Sequence, residues 1–186
     1  MFSEEKVAQM AAYLLSKGGG RMAYLKLMKL LYLADRESMD RFGFPMSGDR
    51  MVSMPHGPVL SRTLNLMNGC ESGTATGWEK WISGAENYEL ALHLTNASRD
   101  DYDELSPADL TLLDAVYSRF GHMSQWQIRD YTHEHCAEWS DPNGGSFTIN
   151  PERVFRALGK SEESVRALAD RMREINELEK LTSELR

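Results

Sequence analysis

Tyr24-Leu25-Lys26-Leu27-Met28-Lys29-Leu30-Leu31-Tyr32-Leu33-Ala34-Asp35-Arg36 is the densest apolar run in the sequence, without Gly or Pro. Its Leu, Met, Lys and Ala residues favour helix, and no β-branched residue interrupts them. On a helix, Lys26 and Lys29 fall on one side and Arg36 and Asp40 continue the strip, while apolar side chains cover nearly all the rest. A helix that is oily around most of its circumference belongs in an interior. The two lysines and the short length exclude a membrane span, which needs about 20 apolar residues. The spacing predicts a central helix over about 22–42, bounded by Gly18-Gly19-Gly20 before it and Gly43 after it.

Working outward, 186 residues suit one domain with a real core, and 41% hydrophobic with 26% charged residues is ordinary globular composition. Cys70 and Cys136 do not make a disulfide framework. No N-terminal stretch joins a basic start to an apolar core, so the expected home is cytoplasmic. The net charge of −7 argues against generic nucleic-acid or membrane binding. The charge is uneven: residues 70–146 hold four Lys and Arg against fourteen Asp and Glu, whereas residues 1–69 hold nine against six. The acidic middle is a poor platform for phosphate.

Helix starts are legible. Phe2-Ser3 with Val7, Leu105-Ser106 with Leu110, Met123-Ser124 with Ile128, and Ile149-Asn150 with Val154 all have hydrophobic-staple spacing around a good N-cap. Ser124 with Gln127 adds a capping box, and Pro107 and Pro151 sit where a helix tolerates proline best. Helices are therefore expected at about 4–16, 107–120, 125–134 and 151–158, with Ser161 as a further cap before a last helix at about 162–184. Leu168, Met172, Ile175, Leu178, Leu181 and Leu185 form a stripe on that last helix that can pack on the body, pair with a copy, or lie on a partner. The triple glycine reads as either a tight turn or a hinge.

Between these helices, Met51–Met54 reads as extended, Pro58 as opening a helix from Val59 to about Met67, and Trp78–Ile82 and Tyr88–Leu94 as strands. One small antiparallel sheet follows. The fold class is mainly α within α+β: a helical domain around a buried central helix, with a small antiparallel sheet and a C-terminal amphipathic helix.

The chemistry-bearing clusters are sparse. His133-Glu134-His135-Cys136 is rich in potential metal ligands, but in a helix the two histidines point about 200° apart and the i, i+4 pair is missing. No phosphate loop, nucleotide-binding glycine fingerprint or serine elbow is present. The helices flanking Gly121-His122-Met123 have helix-turn-helix form, and Gln125, Gln127 and Arg129 could reach base edges, although the segment is the most acidic in the chain. His56, between Pro55 and Gly57-Pro58, reads as a ring that fixes its own turn or as a surface contact. The residues thus call for no catalytic group, no metal and no cofactor.

Beyond this, Lys26-Leu27-Met28-Lys29-Leu30-Leu31-Tyr32-Leu33-Ala34-Asp35-Arg36, then Gly48-Asp49, then His56-Gly57-Pro58-Val59 resembles the signature of the Panacea domain family, the SocA-like and phage-associated antitoxins. Tyr131-Thr132-His133-Glu134 with Trp139 resembles its second signature, with Glu138 standing where that pattern has proline. The likeness spans about residues 4–157, which gives residues 1–158 as a Panacea-like antitoxin domain and 159–186 as a C-terminal helical extension. It implies an antitoxin that neutralises a cognate protein toxin by direct binding, with toxins of unrelated folds as partners across the family. It also implies an alternative, because the family's name-giving member delivers its toxin to an ATP-dependent protease of the ClpXP type. A helix-turn-helix-like DNA-binding regulator is the remaining reading. For partner binding the candidates are Tyr24, Tyr32, Arg36, Asp49, Arg50 and His56, where the basic end of the central helix meets the Pro-His-Gly-Pro turn; the opposing possibility is that the tyrosines are core and the rest brace the turn. The acidic middle would suit a toxin with a basic face.

Overall fold

The computed structural model describes residues 2–84, 87–94 and 96–184. Helix α1 (Glu4–Lys17) begins where the Ser3 hydroxyl accepts a hydrogen bond from the Lys6 amide, and it buries Val7, Met10, Ala11, Leu14 and Leu15. It ends in the glycine triplet, which is a turn: Gly19 and Gly20 have φ of +83° and +87°, and the Gly20 amide returns to the Leu15 carbonyl. The chain then forms a short strand that the sequence reading missed, β1 (Arg21–Ala23), and enters the central helix α2 (Tyr24–Phe42).

Helix α2 is buried along Leu27–Asp35 and again at Ser38 and Met39, and it packs against α1, against α5 (Pro107–Phe120) and against α6 (Gln125–His135). In its charged strip Lys29 is buried too, while Lys26 and Arg36 are half-buried. Lys26 donates to the Gly121 carbonyl at 2.6 Å, Lys29 to the Pro58 carbonyl at 2.7 Å, and Arg36 to Glu138. Further along the strip, Asp40 pairs with Lys160. Helix α6 opens with the capping box expected, Ser124 with Gln127, and α5 has one as well, Ser106 with Asp109.

Three local readings are corrected. Val59 and Leu60 are not helical: β2 (Met51–Met54) and β3 (Gly57–Leu60) form a hairpin, and helix α3 (Ser61–Met67) starts after it. Pro58 fits because β3 is an edge strand, where a missing amide is tolerated. Trp78–Trp81 is one helical turn, α4, instead of a strand. Its first amide is held from afar, by the Glu4 carboxylate of α1, which also accepts from the Thr74 amide. Finally, the described residues form two small antiparallel sheets in place of one. The first has the order β1-β5-β4, with β4 (Ile82–Gly84) and β5 (Glu89–Leu92); the second has the order β3-β2-β6, with β6 (Phe147–Thr148).

Helix α7 (Pro151–Ala157) and helix α8 (Glu162–Glu184) close the fold. The stripe on α8 divides. Val165 and Ala169 are buried and Leu168 and Met172 pack on the core, whereas Leu178 and Leu181 are 64% and 57% exposed. Leu185 lies outside the described residues. No described helix is long and apolar enough to cross a membrane.

Candidate functional site

The motif residues are brought together by α2, which sends side chains into three separate polar knots. The first lies against the turn after α6. Glu138 is buried and accepts from the Tyr32 hydroxyl at 2.7 Å and from Arg36 Nε at 2.7 Å. Burial works against the Arg36 charge, but the Glu138 carboxylate outweighs it and raises that guanidinium's pKa. The Tyr32 hydroxyl is pushed up by burial and by the same carboxylate. The residue standing in place of the pattern's proline is thus the anchor of a buried ion pair.

The second knot fastens the β2–β3 turn. Lys29 has no exposed surface, and burial lowers its pKa to about 7. Its Nζ holds the Pro58 carbonyl, while Trp139 Nε1 holds the Met54 carbonyl at 3.0 Å on the other side of the turn. The His133 ring lies flat on Trp139 with centroids 4.0 Å apart. Burial and the charges of Lys29 and Arg129 lower the His133 pKa, favouring the neutral ring. Gly57 has φ of +92°, and a Cβ there would stand 2.8 Å from Thr132 Oγ1 and 2.9 Å from Lys29 Nζ. The turn is fixed from outside by Lys29 and Trp139, and His56 at its tip is exposed.

The third knot ties the loop after α2. Asp35, wholly buried, accepts from the Ser47 amide at 2.8 Å and from the Ser47 hydroxyl. Burial raises its pKa to about 7, against the pull of those bonds. Asp49 accepts from the amides of Arg50, Arg62 and Thr63 and from the Thr63 hydroxyl, which joins the loop to the start of α3. Ser38 holds the Phe44 carbonyl at 2.8 Å.

The six sequence candidates therefore separate. Tyr32, Arg36 and Asp49 brace the interior, while Arg50 and His56 are exposed. Tyr24 is half-buried, with its ring 6.0 Å from that of Tyr88. Lys29, Asp35 and Glu138 were not among the candidates, because nothing in a linear sequence separates a buried charge from a solvated one. The other clusters are occupied as well. His133 faces Trp139 and His135 faces Tyr131, on different sides of α6, and burial pushes the Cys136 thiol up to about 12. Among the described residues no group of three His, Cys, Asp or Glu is placed to hold a metal ion. Of the side chains suggested for base contacts, the Gln127 oxygen accepts from the Ser124 amide and Arg129 pairs with Asp130.

Fold and knots together define a class: a mixed helical scaffold in which three separated motifs are fastened to one buried helix. The family model of the SocA-like antitoxins, the Panacea domain, matches residues 27–140, more than half of the chain, and the protein belongs to this family. Its role is accordingly antitoxin-like. No curated protein and no solved structure matches the chain.

Proposed function

We propose that this protein is an antitoxin that neutralises a cognate protein toxin by direct contact. The observation that carries the reading is the family match over residues 27–140. It is supported by where the polar motif side chains are spent. Lys29, Tyr32, Arg36, Asp35 and Asp49 all satisfy internal partners, so they serve rigidity. A rigid scaffold loses little entropy on docking and is suited to holding another protein. Within the sequence candidates, Tyr24, Arg50 and His56 are the surface members of the proposed contact, and Tyr32, Arg36 and Asp49 hold that surface in shape.

The protease-adaptor reading keeps the same toxin contact and adds a second partner of the ClpXP type. The exposed Leu178 and Leu181 on α8 are the feature that favours keeping it. Co-expression with the product of the adjacent open reading frame tests the proposal. Growth is expected to be rescued; a toxic neighbour that still kills in the presence of this protein counts against both versions. The toxin's half-life then separates them, because delivery shortens it only where the protease is present.

A further inference from the structure

A cleft of about 720 Å³ lies between the loop after α2, the start of α1, the β6–α7 corner and α8. Its floor includes Met39, Met51, Ile149 and Val154, all buried. Met172 and Ile175 of α8 form one wall, and Phe44, 43% exposed, forms a lip beside the Phe42 ring.

We propose that this cleft is the docking groove for an amphipathic segment of the toxin, apolar on the buried side and carrying a carboxylate that meets Arg50. The inference rests on the antitoxin reading above and says where and by what chemistry the contact is made. Its size and apolar lining suit one face of a helix laid into a groove.

Charge selects the occupant. The charged side chains on the cleft are Lys6, Asp49, Arg50 and Arg62, in a chain whose net charge is −7. Asp49 is buried and its two oxygens are taken by donors from the backbone and Thr63, so no lone pair is left to hold a partner. Lys6 is paired with Asp109 and Arg62 with Glu71. Arg50 is exposed and meets no carboxylate among the described residues, its guanidinium reaching only the Ser61 hydroxyl at 3.4 Å. A free cation at the edge of an apolar groove favours an acidic flank and repels a basic one.

Two further observations fit. The lip is preorganised, because the bonds of Ser38, Asp35 and Asp49 fix the loop from Phe44 to Arg50 before any partner arrives. The cleft also joins two kinds of chain: Met39–Met51 and Arg62 lie inside the matched stretch 27–140, whereas Phe2, Lys6, Ile149 and the α8 wall lie outside it. The groove is thus built by the family scaffold and this chain's flanking segments together.

The test titrates the purified full-length chain with the purified product of the adjacent gene and compares Arg50→Glu, Ile175→Glu and, on a different exposed surface, Trp126→Ala. Arg50→Glu is expected to weaken binding by about tenfold and Ile175→Glu by about a hundredfold, with melting of each close to wild type, while Trp126→Ala stays within about twofold. Wild-type binding that survives both cleft substitutions overturns the groove and leaves the antitoxin reading standing. No binding by the wild-type chain overturns both. Should Ile175→Glu unfold the last helix, the exposed Arg50→Glu decides. A toxin-free dimer that Ile175→Glu dissociates, or a fatty acid found in the wild-type chain by native mass spectrometry and absent from the variants, assigns the cleft to another occupant and also overturns the proposal.

Discussion

Replacing Lys29 by Met keeps the length of the side chain and removes the charge that α2 carries into the core. In the folded chain the Lys29 pKa falls from its ordinary 10.5 to about 7, chiefly through burial. Between these values the unfolded chain holds a proton that the folded chain does not, so stability rises with pH through that window. The cost of charging Lys29 is complete below about pH 7 and absent above about pH 10.5. At 1.36 kcal/mol per pH unit it amounts to about 5 kcal/mol. The variant escapes this cost but leaves the Pro58 carbonyl without its donor, a loss of about 1 to 3 kcal/mol at every pH. Urea unfolding of both proteins at about pH 6 and about pH 10.5 isolates the effect, because the other titrating groups cancel in the difference. Lys29→Met should be the more stable protein at the lower pH by about 2 to 4 kcal/mol and the less stable at the higher by about 1 to 3 kcal/mol. A difference that does not change with pH would refute the reasoning and mean that the ammonium reaches water.

Asp35 should show the opposite sign. Its folded pKa is raised to about 7, so its contribution is full below about pH 4 and is lost as pH rises to about 7; Asp35→Asn should gain on wild type by about 4 kcal/mol across that range in the same assay. Glu138→Ala strands the Arg36 guanidinium and the Tyr32 hydroxyl in the core and should cost about 3 to 5 kcal/mol by urea unfolding, with Glu138→Gln milder. Gly57→Ala combines a left-handed backbone with contacts under 3.0 Å and should lower stability by about 2 kcal/mol, readable as a drop in Tm. Leu30→Asp puts a lone carboxylate at a position with no exposed surface and should leave no cooperative unfolding transition; a soluble variant with unchanged melting would contradict the packing described.

The elements most legible in the sequence were those whose signals are local. Leu105-Ser106 with Leu110, and Ser124 with Gln127, mark helix starts within six residues, and the run around Leu30 declares an interior helix by composition alone. Misread stretches owe their form to distant partners. Trp78–Trp81 is turned into helix by Glu4, and Val59-Leu60 is drawn into a strand by pairing with β2 and by the Leu60 amide meeting Met28 Sδ. The site shows the same division. The motifs could be picked out as a resemblance, and the split of the six candidates into braces and surface could not, because the polar ends of Tyr32 and Arg36 meet their partner in Glu138, about a hundred residues later. The strip from Lys26 to Arg36 misled for that reason: each cation finds its acceptor in another element.

The account's central claim is that this protein grips its toxin and needs nothing else to silence it. It is tested most directly by titrating the purified chain into the purified, active product of the adjacent gene, with neither protease nor ATP present. Toxin activity should fall in proportion to the antitoxin added and reach zero once a complex that survives gel filtration is saturated. Full toxin activity at a large excess of this protein, restored to silence only when a ClpXP-type protease and ATP are supplied, would contradict the claim.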